Sequence, residues 1–205
     1  MPNWCYSKYA FYANKEHESE LIRLHKNISD IFNNPSSIDN DFEPGWIGKI
    51  AIAHGLNYKD YSCRGTVYQL ADYISENCYF ILEIESAWAP PNDLWEAVIK
   101  LYDGIAFVYM AEELGMEILI NTDIDQKYFP ERYLLDVHIN DYIPSGWHIE
   151  DDIHEYFADF DTLKEYCTKL IGQSFNTLEE INTYFSKVTD DDKYLYAIAY
   201  KFVSE

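Results

Sequence analysis

Residues 64–104 read RGTVYQLADYISENCYFILEIESAWAPPNDLWEAVIKLYDG, and the order of periods within them decides the fold class. Stretches 64–74 and 77–88 are rich in β-branched and aromatic side chains and meet at Ser75-Glu76-Asn77, which predicts two strands in a hairpin. In the second, Phe80, Leu82 and Ile84 alternate with Tyr79, Ile81, Glu83 and Glu85. Successive strand side chains point to opposite faces, so the first set is expected to meet helices and Glu83 and Glu85 to stand on the open face. After Pro90-Pro91 the period changes. Leu94, Trp95, Val98, Ile99 and Leu101 fall on a helical stripe, with Asn92 or Asp93 as the expected cap and Asp103-Gly104 as the stop.

Working outward, residues 4–12 are aromatic and strand-like, and 15–33 carry Leu21, Leu24, Ile28, Ile31 and Phe32 at helical spacing, ended by Asn34-Pro35-Ser36-Ser37. Residues 35–63 read as an insertion with a short helix over 46–54, closed by Gly55. On the other side, 105–110 and 116–121 read as strands around Glu112-Glu113-Leu114-Gly115, with Gly115 expected to take a positive backbone angle. The order is β, α, insertion, β, β, α, β, β. Without its last strand this is an α+β, ferredoxin-like βαββαβ antiparallel sheet with helices on one face. Residues 1–121 are therefore expected to form that domain, and 122–205 a C-terminal α/β extension packed on it. The extension should hold a strand over 133–139, a helix over 161–171 and a helix to 187 begun by the capping box of Thr177 and Glu180. A turn at 189–192 and a closing strand over 194–203 complete it.

Fifteen Lys and Arg against 36 Asp and Glu give a net charge of −21, which repels phosphate backbones and anionic lipid and disfavours direct nucleic-acid or membrane binding. The plain reading of this charge is a solvated surface that resists aggregation; the functional one is a surface imitating the charge pattern of DNA. Nineteen tyrosines suit half-buried sheet faces and interfaces alike. Cys5, Cys63, Cys78 and Cys167 are far apart, with no CxxC and no zinc spacing, which predicts buried thiols in a reducing compartment. Without a basic, apolar leader or an 18-residue apolar run, the expected location is cytoplasmic.

The start Met1-Pro2-Asn3-Trp4-Cys5, Gly45-Trp46-Ile47-Gly48, Cys63-Arg64-Gly65, Ser86-Ala87-Trp88-Ala89-Pro90-Pro91 and Tyr109-Met110-Ala111-Glu112-Glu113-Leu114-Gly115-Met116 occur in that order. Together they resemble the YubB ferredoxin-like domain family, also called Api-like proteins, over residues 1–121. The resemblance implies a ferredoxin-like fold and a setting on phages, plasmids and other mobile elements. It implies no reaction and brings no catalytic residues. Trp4, Trp46, Trp88 and Trp95 are expected to be core anchors.

The densest ionisable stretch, residues 148–155, holds His148, Asp151, Asp152 and His154. Were it helical, His148 with Asp152, or Asp151 with His154 and Glu155, would share faces suited to a divalent metal, although the spacing is not HExxH. Glu83, Glu85, Glu112 and Glu113 are the candidates for acid–base catalysis, since paired carboxylates push their pKa values apart. Asp123-Ile124-Asp125 lacks the rest of a calcium loop and reads as a turn. His25 and His54 read as structural histidines. No GxSxG, P-loop or GxGxxG occurs, and no cofactor is indicated. The expectation is thus a non-enzymatic, mobile-element-associated accessory protein that binds another protein through acidic, tyrosine-rich surface. The alternatives are a metal-dependent hydrolase using the acidic and histidine residues, and a self-associating module that buries its open sheet face in a homodimer.

Overall fold

The computed structural model describes residues 3–33, 43–139, 143–189 and 195–204. The chain divides into two units, Met1–Thr122 and Asp123–Glu205. In the first, strand β1 (Trp4–Ala13) leads through a single 3₁₀ turn into helix α1 (Glu18–Asn33). Helix α2 (Gly48–Ala53), strands β2 (Gly65–Leu70) and β3 (Tyr79–Ala87), helix α3 (Asn92–Ile99) and strands β4 (Ile105–Glu113) and β5 (Ile118–Asn121) follow. The strands form one antiparallel sheet in the order β2-β3-β1-β4-β5.

Period two decides which face each residue serves. Cys5, Tyr9 and Phe11 of β1 and Phe80, Leu82 and Ile84 of β3 are buried in one core with Leu21, Leu24 and Ile28 of α1 and Leu94, Trp95 and Val98 of α3. Trp95 lies against Tyr9 and Phe11, with ring centroids 5.7 and 5.2 Å apart. The Tyr9 hydroxyl donates to Asn92 Oδ1 at 2.7 Å and fixes the start of α3 over the central strand.

Several local expectations are corrected. Asn92 and Asp93 do not cap α3: the cap position is Pro91, Asn92 serves Tyr9, and the Asp93 carboxylate accepts from the backbone N–H and hydroxyl of Ser62 at 2.8 and 3.1 Å. Leu101 falls beyond the helix and is exposed. Strand β2 ends at Leu70, and an irregularity between Val67 and Gln69 leaves Tyr68 outward. Glu112 and Glu113 belong to β4, and the left-handed residue of the following turn is Glu117 rather than Gly115. The stop predicted at Asn34-Pro35-Ser36-Ser37 lies outside the described residues, as does most of the turn at 189–192.

The second unit contains strands β6 (Tyr133–His138) and β7 (Ile153–Phe157), helices α4 (Phe160–Ile171) and α5 (Leu178–Val188), and strand β8 (Tyr196–Lys201). Its antiparallel sheet has the order β7-β6-β8. Leu135, Val137, Ala197 and Ala199 bury one sheet face with Leu163, Cys167, Ile181 and Phe185 from the helices. Asp159 caps α4 by accepting from Thr162 N–H at 2.8 Å, and Thr177 caps α5 by accepting from Glu180 N–H at 3.1 Å. Glu180 reaches back one residue past the cap, accepting from the Asn176 N–H at 2.7 Å. Asp123 and Asp125 belong to a turn, in which the Asp123 carboxylate accepts from the N–H groups of Tyr128 and Phe129. Among the described residues no helix is long and apolar enough to cross a membrane.

Candidate functional site

Three of the motif segments, 45–48, 63–65 and 86–91, come together beside the outer edge of the first sheet. Trp46 forms an antiparallel bridge with Thr66, flanked by Ile47 N–H to Gly65 O at 3.1 Å and Val67 N–H to Gly45 O at 2.9 Å. Ala87 N–H donates to Arg64 O, and Trp88 N–H to Asn3 O, both at 2.9 Å. Two glycines permit this stacking. A Cβ on Gly65 would stand 2.5 Å from Glu85 O, and one on Gly48 would enter the Trp46 indole at 2.1 Å.

These segments wall a cleft of about 490 Å³. Trp46, Tyr58, Tyr61 and Trp88 supply aromatic surface, Lys59 and Arg64 positive charge, and Cys63 and Ser86 part of the floor. Trp46 and Tyr58 meet edge to face at 5.1 Å. Trp88 carries a φ of 75°, a left-handed backbone costly for a large side chain, and the residue is 46% exposed. Trp4 is equally exposed, so of the four tryptophans expected to anchor the core only Trp95 is fully buried. Among the described residues the Arg64 guanidinium has no ion-pair or hydrogen-bond partner, and Lys59 approaches only the Tyr58 ring, at 5.9 Å. Burial pushes the Cys63 thiol up to about 11, so at neutral pH it is a thiol and not a nucleophilic thiolate.

The acid–base candidates divide between two faces. Glu85 and Glu112 stand opposite Tyr6 on either side of β1, and Glu83 stands opposite Lys8, so these three share the sheet face away from the helices. The Tyr6 hydroxyl donates to Glu83, and Lys8 Nζ lies 4.0 Å from the same carboxylate. Burial and the Glu83 carboxylate hold the Tyr6 phenol above its ordinary value. Glu113 points to the other face, where its Oε1 accepts from Gly115 N–H at 3.0 Å.

The stretch 148–155 is not helical; it is irregular through Asp152 and then becomes β7. The face-sharing expected of a helix therefore does not arise. Asp152 accepts from Ile139 N–H at 2.7 Å and pairs with His138 Nδ1 at 3.0 Å, and that histidine's hydrogen bond holds the Asp152 carboxyl below its ordinary value. His154 Nδ1 stands 2.9 Å from Asp136 Oδ1, and its Nε2 is 3.2 Å from the Tyr156 hydroxyl. His138 Nε2 approaches the other oxygen of the buried Asp136 at 3.4 Å. His148 and Asp151 are exposed in the loop, where His148 donates its backbone N–H to Leu170 O at 2.7 Å.

The result is a carboxylate–imidazole chain running Asp152, His138, Asp136, His154. Half of it, Asp136 and His138, was invisible in the sequence because they belong to the partner strand β6. Among the described residues no group of three or more His, Cys, Asp or Glu side chains is placed to hold a metal ion. All four cysteines are buried and unpaired. His25 Nε2 donates to Ala71 O, and His54 donates from Nδ1 to Ile50 O and bonds the Tyr102 hydroxyl through Nε2. Comparison with protein-family models, with curated proteins and with solved structures finds no match for this chain.

Proposed function

We propose that the chain is a non-enzymatic accessory protein of a mobile element that binds a basic protein through acidic surface, occupying a groove that would otherwise hold DNA. The observation that carries this reading is a band of exposed carboxylates over residues 150–165. Glu150, Asp151, Asp152, Glu155, Asp159, Asp161 and Glu165 are all exposed there, and the stretch holds a single Lys or Arg, Lys164, already paired with Asp161 at 2.8 Å. The band belongs to a molecule of net charge −21, so its field reinforces that of the whole. The scaffold is read as ferredoxin-like: the order β2-β3-β1-β4, antiparallel throughout and crossed by α1 and α3, is the support for that, with β5 as an added edge strand.

The test uses the purified full chain with basic DNA-binding proteins of a bacterial host, at low and high salt and with duplex DNA as competitor. A DNA mimic is expected to bind one of them, to lose affinity by about tenfold or more as salt rises from about 0.05 to 0.2 M, and to be displaced by duplex. Reversing charge at Glu150, Asp151 and Glu155 should weaken that binding. No salt-sensitive binding to any such protein would overturn the proposal.

A further inference from the structure

We propose that the cleft between Trp46, Tyr58, Tyr61 and Trp88 binds a nucleoside monophosphate, with the base against the aromatic rings and the phosphate on Arg64 and Lys59. The volume, about 490 Å³, lies in the ordinary range for small-molecule sites, roughly 300–1,000 Å³. The wall chemistry has two parts that a nucleotide joins in one molecule, a planar π surface and an anion.

The charge pattern makes the second part specific. Carboxylates outnumber cations by more than two to one, yet among the described residues the Arg64 guanidinium has no carboxylate partner; Asp93, whose carboxylate bonds Ser62 in the cleft lining, makes no ion pair with it. Arg64 offers a planar fork of donors matched to phosphate oxygens, and Lys59 a second positive charge from the neighbouring wall. Trp88 is kept outward by a backbone conformation that disfavours large side chains, a cost that core packing does not offset because the residue is half exposed. The glycines at 48 and 65 bring the three walls together, so the concavity is built by the fold and not by a loose loop. The same net charge of −21 selects against a longer strand, since each added phosphate is repelled while only two cations face the cleft.

The experiment is isothermal titration of the full chain with AMP, adenosine, inorganic phosphate and a short single-stranded oligonucleotide in low salt. AMP is expected to bind with a Kd on the order of 10–100 μM, and adenosine and phosphate more weakly. Arg64→Gln should weaken AMP by about tenfold and leave adenosine unchanged. Trp88→Ala should weaken both by about tenfold, and Trp88→Phe should restore most of the loss. No heat with AMP at millimolar concentration overturns the proposal. So does equal binding of phosphate and AMP, which marks a generic anion patch, or tighter binding of the oligonucleotide, which marks a strand groove. The cleft substitutions leave the 150–165 band untouched, so failure here and failure of the protein-binding reading are separately visible.

Discussion

The side chain of His54 shows how far a single residue's environment departs from what its neighbours in sequence suggest. Gly55 beside it signals only a helix end, yet the ring is tied to Ile50 O and to the Tyr102 hydroxyl, both at 2.7 Å, across 48 residues of chain in the second case. Burial, first among the causes, lowers its pKa from the ordinary value of 6.5. A histidine that resists protonation when folded contributes stability in full above pH 6.5. That contribution shrinks as the pH falls toward the lowered folded-state value and stops changing once the folded ring is protonated too. Urea unfolding of the wild type and His54→Gln across pH 7.5 to 5 is expected to show the steeper acid loss in the wild type; parallel curves would refute it. The tryptophans make a complementary point. Four large apolar residues look alike in sequence, and hydrophobicity sends all four inward, but Trp88 follows directly on β3 where the backbone turns left-handed and projects it into the cleft mouth. No pattern of neighbouring residues announces that angle.

At the level of elements, legibility followed periodicity. Helices α1, α4 and α5 and strands β1, β3 and β8 carry their apolar residues at the period of the structure they form, so they were readable within a few residues. Strand β7 was not. Its sequence, Ile153 to Phe157, has polar residues at its centre, and it is held by pairing with β6, a long-range contact that local pattern does not encode. The carboxylate–imidazole chain escaped for the same reason, because each half sits on a different strand. Where a local rule is strong it also gives a magnitude. Thr177 is the side-chain cap of α5, and Thr177→Ala is expected to cost about 1 kcal/mol, read as a lower urea midpoint with an unchanged slope. A change below about 0.3 kcal/mol would mean that packing of Ile181 and Phe185 alone fixes the helix start.

For the whole molecule the dominant fact is self-repulsion. With a net charge of −21, raising salt from about 0.01 to 0.15 M shortens the Debye length from about 30 to 8 Å and should raise the melting temperature by several degrees. A fall instead would mean that ion pairs such as Arg23 with Glu20, at 2.5 Å, outweigh the repulsion. Composition made this charge legible at once, but not that seven exposed carboxylates gather along 150–165 or that two cations escape neutralisation in a cleft assembled from segments about 20 residues apart. The division into two units gives one further consequence, through the cysteines. All four are buried, and burial holds the thiols of Cys5 and Cys63 at about 11 and that of Cys167 at about 12. The folded chain therefore presents no ready target to an alkylating reagent, and labelling becomes a clock for opening. Three of the thiols report on the first unit and Cys167 on the second, so the order in which peptides acquire the label tells which core breathes first.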